Sequence, residues 1–295
     1  MRLDIHTHTL ASGHAYGTIR EMAAAARERG LDLLGFSEHA PGTPGTCDPM
    51  YYMNLKVIPR ELCGVGILHG SEINVMNDGT LSLEEQYIDR LDYAIAGIHM
   101  TCYEDEGAER NTDHLISCMR HEKVFFVSHP DDDHTPLNYE RLVPAAKELH
   151  VALEVNNSSL LKPERRLNCV ENYRRMLGLC MELQAPIIVG SDAHDPSGVG
   201  RFGEALALIR DCGFDEVAAN IARFDEVDSV MLMSGGYDLS LVVSGKSYQE
   251  IALFVVKRLS PLEGVVSTAT HFVLRTYKKD GVLYGLEPTD ERELL

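Results

Sequence analysis

Short apolar runs of strand length alternate, over the first two thirds of the chain, with segments whose apolar residues recur at helical spacing. Buried strands that alternate with helices are typical of a parallel β/α fold, and a barrel of such units carries its functional residues at the carboxyl ends of the strands. The runs predict seven strands whose last residues are His8, His39, Glu72, His99, His129, Asn157 and His194. The intervening segments predict helices at 18–29, 112–122, 138–150, 172–184 and 203–212.

The pattern changes after about residue 213, where strands and helices no longer alternate regularly. This part predicts a helix at 215–227, a hairpin of strands 229–234 and 238–244, an amphipathic helix at 247–259 and a long strand at 264–278. We therefore predict two domains, 1–213 and 214–295, with a frayed acidic tail at 286–295. No flexible linker separates them and the barrel lacks its last helix, which indicates either a recombined or engineered chain or a natural fusion.

Composition narrows the classes of function. The 295 residues are 44% hydrophobic and 24% charged, enough for one large domain or a large and a small one. A net charge of −18 argues against non-specific nucleic-acid binding, although bound cations would still allow a phosphorylated substrate. The seven cysteines form no CxxC pair, and the chain carries no apolar signal segment or membrane-spanning run. We expect reduced thiols and a cytoplasmic protein that does not contact membranes.

The predicted strand ends share one chemical property, which is that they carry metal-ligand side chains. His6 and His8 lie two residues apart, so in a strand they face the same side. Taken alone, this pair could equally be two solvated histidines near the amino terminus. The recurrence of His or carboxylate at the later strand ends favours a metal site instead. Imidazole and carboxylate ligands together suit zinc, manganese or iron.

Several of these residues belong to motifs of a known family. The motifs are His6-x-His8, His14, Ser37-Glu38-His39, Gly70-x-Glu72, His99, Ser128-His129-Pro130, Glu154-Val155-Asn156-Asn157 and Ser191-Asp192-x-His194. In order and spacing they resemble the PHP (polymerase and histidinol phosphatase) superfamily, and within it the stand-alone bacterial phosphatases, over roughly residues 1–220. The resemblance implies a distorted seven-stranded (β/α)7 TIM-like barrel.

The same resemblance implies which residues bind metal. Nine ligands are too many for one zinc with an open position, so we expect three divalent ions, most simply zinc, with manganese or iron as alternatives. The implied groups are His6, His8, Glu72 and Asp192; Glu72, His99 and His129; and His14, His39 and His194. The predicted reaction is hydrolysis of a small metabolite's phosphate monoester by a metal-bound hydroxide at this trinuclear site. Glu72 would bridge two ions, and Asp192 and His194 would also handle protons.

Other residues are candidates for contact with the substrate. Arg201 follows the last metal strand and could bind phosphate, although it could also be a solvated residue at the start of a helix. Lys162, Arg165 and Arg166 follow the sixth strand and are further cationic candidates. The loop 40–47, rich in Pro, Gly and Thr, is expected to contact substrate. Asn156 and Asn157 are expected to orient ligands rather than to bind metal.

The carboxyl-terminal part carries a second resemblance, over roughly 214–285. The segments 234–238, 264–268 and 277–281 resemble the effector-binding domain of Lrp/AsnC transcriptional regulators, which implies a partial ferredoxin-like α+β domain. The regulators' helix-turn-helix is absent, as is the first strand of their βαββαβ unit. Two alternatives to the monoesterase remain, a PHP-type phosphodiesterase or nuclease, and a small-molecule-sensing or oligomerisation module that regulates the barrel. We expect a small phosphorylated substrate, no nucleic-acid partner, and a possible homo-oligomer formed through this domain.

Overall fold

The computed structural model describes residues 2–213, 216–232, 239–265, 267–273, 278–279 and 282–283. The chain divides into two compact units, Met1–Phe214 and Asp215–Leu295. None of the helices in the described part of the chain is both long and apolar enough to span a membrane.

A nearly closed barrel of seven parallel strands forms the first unit, as the sequence predicts. Its strands are β1 Leu3–Asp4, β2 Leu33–His39, β4 Val65–Asn74, β5 Tyr93–Gly97, β6 Val124–Val127, β7 Ala152–Asn156 and β8 Ile187–Gly190, with β3 Glu61–Leu62 antiparallel to β4. The parallel strands pair in sequence order, and His39 lies in register with Glu72. A parallel bridge between Thr7 and Ala193 links the region after β1 to the region after β8. The predicted TIM-like architecture is confirmed.

Helices cover the outside of the barrel. They are α1 Ile19–Glu28, α2 Met50–Met53, α3 Glu85–Ile88, α4 Ala108–Met119, α5 Tyr139–Leu149, α6 Asn157–Leu161, α7 Cys169–Leu183 and α8 Gly203–Asp211. Thr18 starts α1 with a reciprocal capping pair to Glu21. Helix α4 starts four residues before the predicted start at 112, because the side chain of Asn111 is buried and hydrogen-bonded to Tyr103, Asp105 and the backbone at 106. The first turn of α4 was not predicted because its residues are mostly polar.

Two apolar layers hold this unit together. Between the strands and the helices lies a large core to which Tyr52, Ile73 and Tyr173 contribute. Inside the barrel, Tyr93, Ile95 and Phe126 form a smaller cluster below the strand ends, and the Tyr93 hydroxyl donates to the Ile5 carbonyl at 2.7 Å. Large side chains fill the interior as in other small barrels, so the barrel is a packed core and not a pore.

The second unit is a small α+β arrangement. Its elements are α9 Glu216–Ala222, β9 Val227–Leu232, β10 Leu239–Val243, α10 Tyr248–Phe254, which continues as a π-helical turn Val255–Leu259, and the short strands β11 Lys278–Lys279 and β12 Val282–Leu283. Strands β9 and β10 pair antiparallel, which confirms the predicted hairpin, whose turn lies outside the described residues. Ile221, Phe254 and Leu259 form its core.

One predicted element in this unit is wrong. The segment 264–278 is predicted as a long strand, but residues 267–273 form no strand and every side chain in that range is exposed. Alternation specifies a strand only where one face can be buried, and here neither face is. The predicted tail at 286–295 lies outside the described residues.

Candidate metal centre

The carboxyl ends of the barrel strands bring the predicted ligands together. His6 and His8 follow β1 and point their Nε2 atoms at Asp192, at 3.6 and 3.3 Å from its Oδ1. The same nitrogens lie 3.5 and 3.6 Å from Oε2 of Glu72. The two histidines therefore share one side of the chain, as their spacing predicts, and both face a pair of carboxylates.

Glu72 lies at the centre of the cluster. Three further histidines approach it: His39 Nδ1 at 3.0 Å from Oε2, and His99 Nε2 and His129 Nε2 at 3.3 and 2.8 Å from Oε1. The carboxylate is buried, and within the described structure no hydrogen bond of regular geometry reaches either oxygen. This residue contacts more of the predicted ligands than any simple structural role requires.

A third set of histidines lies on the solvent side. His8, His39 and His194 present ring nitrogens within 4.8 Å of one another. His14, carried by the loop after β1, places its Nε2 atom 3.1 Å from that of His194 and stacks on His39 with ring centroids 4.9 Å apart. All nine predicted ligands thus belong to one continuous cluster, in which His14 is the most exposed member.

The donor atoms of this cluster fit metal ions. Burying a polar atom without a partner costs free energy, so such atoms are rare and seldom adjacent. Here the buried atoms without hydrogen bonds in the described structure include His6 Nε2, His8 Nε2, His39 Nδ1, His99 Nε2 and both oxygens of Glu72. They converge on one space, and imidazole nitrogen with carboxylate oxygen is a donor set for divalent transition metals. The site is built to bind metal.

Hydrogen bonds at the opposite ring nitrogens fix the orientation of these histidines. Glu154 lies 2.6 Å from His6 Nδ1 and also accepts the His129 backbone N–H at 2.8 Å. Asn74 Oδ1 lies 2.8 Å from His99 Nδ1, and Ser12 Oγ lies 3.1 Å from His8 Nδ1. Such partners select the tautomer whose free nitrogen faces the metal.

The two asparagines after β7 have separate tasks. Asn156 Nδ2 lies 3.3 Å from Asp192 Oδ2, in agreement with an orienting role. Asn157 Oδ1 instead accepts the backbone N–H of Ala205 at 3.0 Å, which anchors the start of α8. Only the first of them reaches a predicted ligand directly.

Burial and neighbouring charges shift the pKa values of the cluster in different directions. Burial acts to lower the pKa of His6, but Glu154, Glu72 and Asp192 hold that pKa well above its usual value. Burial acts to raise the pKa of Glu72, but the surrounding histidines, His99 foremost, hold that pKa well below its usual value. Asp192 behaves in the same way: burial acts to raise its pKa, but His6, His8 and His194 together hold that pKa well below its usual value. Burial, assisted by the neighbouring His39, lowers the pKa of His8 well below its usual value. The carboxylates are therefore ionised and His8 is neutral.

Backbone geometry at two ligand positions is unusual. His129 has a φ of 30° and Asp192 a φ of 51°, in the left-handed region that side chains other than glycine seldom adopt. Both residues lie just beyond their strands, where the turn aims the side chain back into the barrel. Outliers of this kind cluster at functional sites.

Two glycines leave room for the cluster. A methyl group on Gly97 would lie 2.5 Å from Ser128 Oγ and 3.0 Å from Glu72 Oε1. On Gly190 it would lie 1.9 Å from Glu154 Oε1 and 2.9 Å from the Cβ atom of His6. A larger residue at either position would displace a ligand or its partner.

The loops around the mouth pack closely on each other. Glu38 accepts the hydroxyl groups of Thr9 and Ser12, both at 2.6 Å, and so anchors the loop that carries His14. In that loop Gly13, with a φ of 81°, approaches Gly45 so closely that a methyl group would lie 1.9 Å from its carbonyl oxygen. The predicted substrate loop 40–47 therefore lies against the loop of His14.

The cationic candidates occupy different ends of the barrel. Gly200, next to Arg201, packs against Arg29 and Leu31, which precede β2 and lie at its opposite end from His39. Arg201 itself is exposed and follows Gly200 directly.

Arg166 is partly buried and borders a pocket of about 140 Å³ that His129 also lines. Its Nη1 atom lies 3.4 Å from Oδ1 of the buried Asp131. Burial raises the pKa of that carboxyl to about 7, although Arg166 opposes the rise.

Comparison with known proteins decides the family. The model of the PHP domain matches residues 4–158, more than half of the chain. The chain belongs to the PHP domain family. A probable phosphatase of Thermoanaerobacter sp. (strain X514) is 41% identical over 216 residues, 72% of this chain and 87% of the relative. A probable phosphatase of Caldanaerobacter subterraneus subsp. tengcongensis is 41% identical over 227 residues, 76% and 89% of the two chains.

Among solved structures, the histidinol phosphate phosphatase of Lactococcus lactis subsp. lactis, complexed with zinc, L-histidinol and phosphate, is 18% identical with a TM-score of 0.48. The match covers 72% of this chain and 94% of that one. Family membership and the relatives make this PHP protein an enzyme of the phosphatase class, and its donor set makes it metal-dependent.

The second predicted resemblance is also confirmed, with a different starting point. The Lrp/AsnC ligand binding domain matches residues 189–283. This match begins in β8, whereas the sequence motifs place the resemblance from about residue 214. Strand β8 and helix α8 thus belong both to the barrel and to the matched segment.

Proposed function

We propose that the barrel unit hydrolyses the phosphate monoester of a small metabolite at a centre of three divalent ions, most simply zinc. The observation that carries this proposal is Glu72, a buried carboxylate surrounded by histidines, to whose oxygens no residue in the described part of the chain makes a regular hydrogen bond. A carboxylate in this position suits a ligand shared by two ions. Manganese or iron would suit the same donor set.

We assign the nine ligands to ions as the family resemblance implies. His6, His8 and Asp192 converge on one point, with Glu72 beside them. His99 and His129 approach the other oxygen of Glu72, which suits a second ion. A third ion would be held by His14, His39 and His194 on the solvent side. His39 also lies 3.0 Å from Glu72, so the second and third groups adjoin.

Bound ions would lower the pKa of water and stabilise the negative charge that develops as the phosphate ester is cleaved. The residues around them position the reactants. Asp192, with its lowered pKa, stays ionised, and its Oδ1 atom lies 3.4 Å from Nδ1 of His194. His194 is only partly buried and stands on the solvent side, where its imidazole can exchange a proton with water or product.

Arg166 is better placed than Arg201 to contact the phosphate. Within the described residues, its guanidinium makes a long contact, 3.4 Å to Asp131, and Arg166 borders a pocket that His129 also lines. A planar guanidinium with unused N–H groups matches the geometry of a phosphate. We assign Arg166 to the phosphate in place of the residue that the sequence favours.

A metal-removal experiment tests this function. Chelation should reduce hydrolysis of p-nitrophenyl phosphate by more than about a hundredfold, and added zinc or manganese should restore it. His8→Ala should retain the fold, by circular dichroism, and lose both metal and activity. Full activity in the chelated protein and in His8→Ala would reject the proposal. Faster hydrolysis of bis(p-nitrophenyl) phosphate than of the monoester would favour the diesterase alternative, which the net charge of −18 disfavours for nucleic-acid substrates.

We also propose that the second unit binds a small molecule and mediates self-association. The match to the Lrp/AsnC ligand binding domain supports this, as do exposed apolar side chains on α10 and the turn after it, at Leu253 and Val256. Light scattering of the full chain should show an oligomer that Val256→Asp weakens. A monomer at every concentration, with and without a panel of amino acids, would contradict it.

A further inference from the structure

A half-enclosed pocket adjoins the metal centre. Its volume is about 140 Å³, and His129 separates it from Glu72. Four of its apolar lining residues come from the segment after β5, helix α4, strand β6 and the segment before α5, namely Ile98, Leu115, Val127 and Leu137. We refer to these four residues as the apolar floor. The pocket is also lined by Met100, Ser128, Pro130, Asp132, Thr135 and Arg165.

The volume of the pocket sets the size of its occupant. An apolar cavity of about 150 Å³ in a protein core accommodates one benzene molecule. The pocket beside His129 is of the same size, so it suits one six-membered ring or a branched group of equal volume. A nucleoside, with a base and a sugar, is too large to enter it.

Two of the polar lining residues connect the pocket to the metal centre and to a guanidinium. Arg166 lines it and is held by Asp131, whose side chain is buried behind the guanidinium. His129 forms the wall toward Glu72. A phosphate placed between Arg166 and the metal ligands would therefore direct its organic group onto the apolar floor.

We propose that this pocket binds the carrier group of the phosphomonoester, and that this group is compact, about the size of a single ring, with an apolar face that packs on the apolar floor. The inference rests on the proposed phosphatase function. It names the substrate class as phosphate esters of small cyclic or branched alcohols and phenols, and it excludes nucleotides.

Leu137 offers a direct test because it precedes α5 at the edge of the floor. Leu137→Phe should fill the pocket and raise KM for phenyl phosphate about tenfold or more. Leu137→Ala should enlarge the pocket and raise the kcat/KM for 1-naphthyl phosphate relative to phenyl phosphate. The matched control is Leu149→Phe, the same substitution at the other end of α5, where the half-buried side chain does not line the pocket. Metal content and melting temperature, measured for all three, separate pocket effects from damage to the centre or to the fold.

A binding measurement distinguishes the two proposals. Saturation-transfer NMR should detect benzyl alcohol bound to the wild-type protein and to Leu149→Phe. It should detect much less bound to Leu137→Phe. Because benzyl alcohol carries no phosphate, this result does not depend on whether the protein is an active phosphatase. Binding of this kind without any phosphatase activity would reject the proposed function and leave the pocket assignment standing. Equal kcat/KM for phenyl phosphate and adenosine monophosphate, or no effect of Leu137→Phe on either measurement, would overturn the pocket assignment alone.

Discussion

The two ends of the barrel treat their charged groups in opposite ways. At the amino ends of the strands, Asp32 accepts the backbone N–H of residue 2 at 2.7 Å, and Asp92 accepts that of His69 at 2.7 Å. Lys123 donates to the Leu91 carbonyl at 3.0 Å. At the carboxyl ends, Glu72 and the histidines around it leave six buried donor atoms without hydrogen bonds in the described structure.

The difference shows what each end is for. Polar groups that satisfy one another stabilise the fold and need nothing further. Polar groups that are buried, ionised and unpaired are stable only when something else completes them. Activity should therefore be sensitive to substitutions at the carboxyl end and insensitive to those at the amino end.

Among substitutions outside the nine predicted ligands, the largest effect is expected at Glu154, which bonds His6 and the backbone of His129 without joining the metal group. Glu154→Gln removes the charge that orients His6, so kcat/KM should fall by about 10–100-fold with a weaker affinity for metal. Steady-state kinetics and metal titration measure both. The matched control is Glu140→Gln, which breaks an exposed pair with Arg175 and should change neither. Unchanged metal affinity in Glu154→Gln would show that the orientation of His6 does not depend on this carboxylate.

A smaller effect, on the free energy of unfolding, is expected when alanine replaces either of two glycines. Gly190→Ala places a methyl group 1.9 Å from Glu154, so the free energy of unfolding should fall by about 1–3 kcal/mol. Gly178→Ala, in the exposed part of α7 where nothing lies within 4 Å, should raise it by about 0.5–1 kcal/mol. Urea unfolding measures both. If the two variants shift stability in the same direction, the close approach at Gly190 is not limiting.

The smallest effect is expected at the amino end. Burial acts to raise the pKa of Asp92, but Arg60 and the His69 backbone N–H lower it below the usual 3.8. The lowered pKa stabilises the fold at neutral pH, and that contribution is lost as pH falls through the folded-state pKa. Asp92→Asn should cost about 0.2–1 kcal/mol at pH 7, since Arg60 is well exposed, and progressively less as the pH falls below the usual 3.8. Thermal unfolding across pH tests this, and a loss of phosphatase activity would contradict the contrast between the ends.

Periodicity was sufficient for most of the barrel and failed where burial or local polarity differed from the usual pattern. The strand that ends at His39 and the helix capped at Thr18 follow from alternation and capping residues. The start of α4 could not be predicted in this way, because Asn111 is a polar residue that is buried by forming its own local hydrogen bonds. Apolar and polar residues alternate in the segment 267–273, but neither face of the segment is buried, so the alternation does not produce a strand.

For the site, strand spacing brings His6 and His8 together but cannot aim His129 or Asp192, whose positive φ values turn them inward beyond their strands. The role of Glu154 could have been found, because it lies two residues before Asn156 and so on the same strand face. Arg166 could not be distinguished from Arg201 by sequence, since the choice depends on which end of the barrel each loop reaches.

The bridge between Thr7 and Ala193 has a consequence for how such an enzyme can change over evolution. Four predicted ligands, His6, His8, Asp192 and His194, flank this one seam, on segments more than 180 residues apart. The ring of strands is thus fastened at the same place where chemistry occurs. A substitution there affects the closure of the barrel as well as its reactivity. New specificities should therefore arise more readily in the surrounding loops than at this seam.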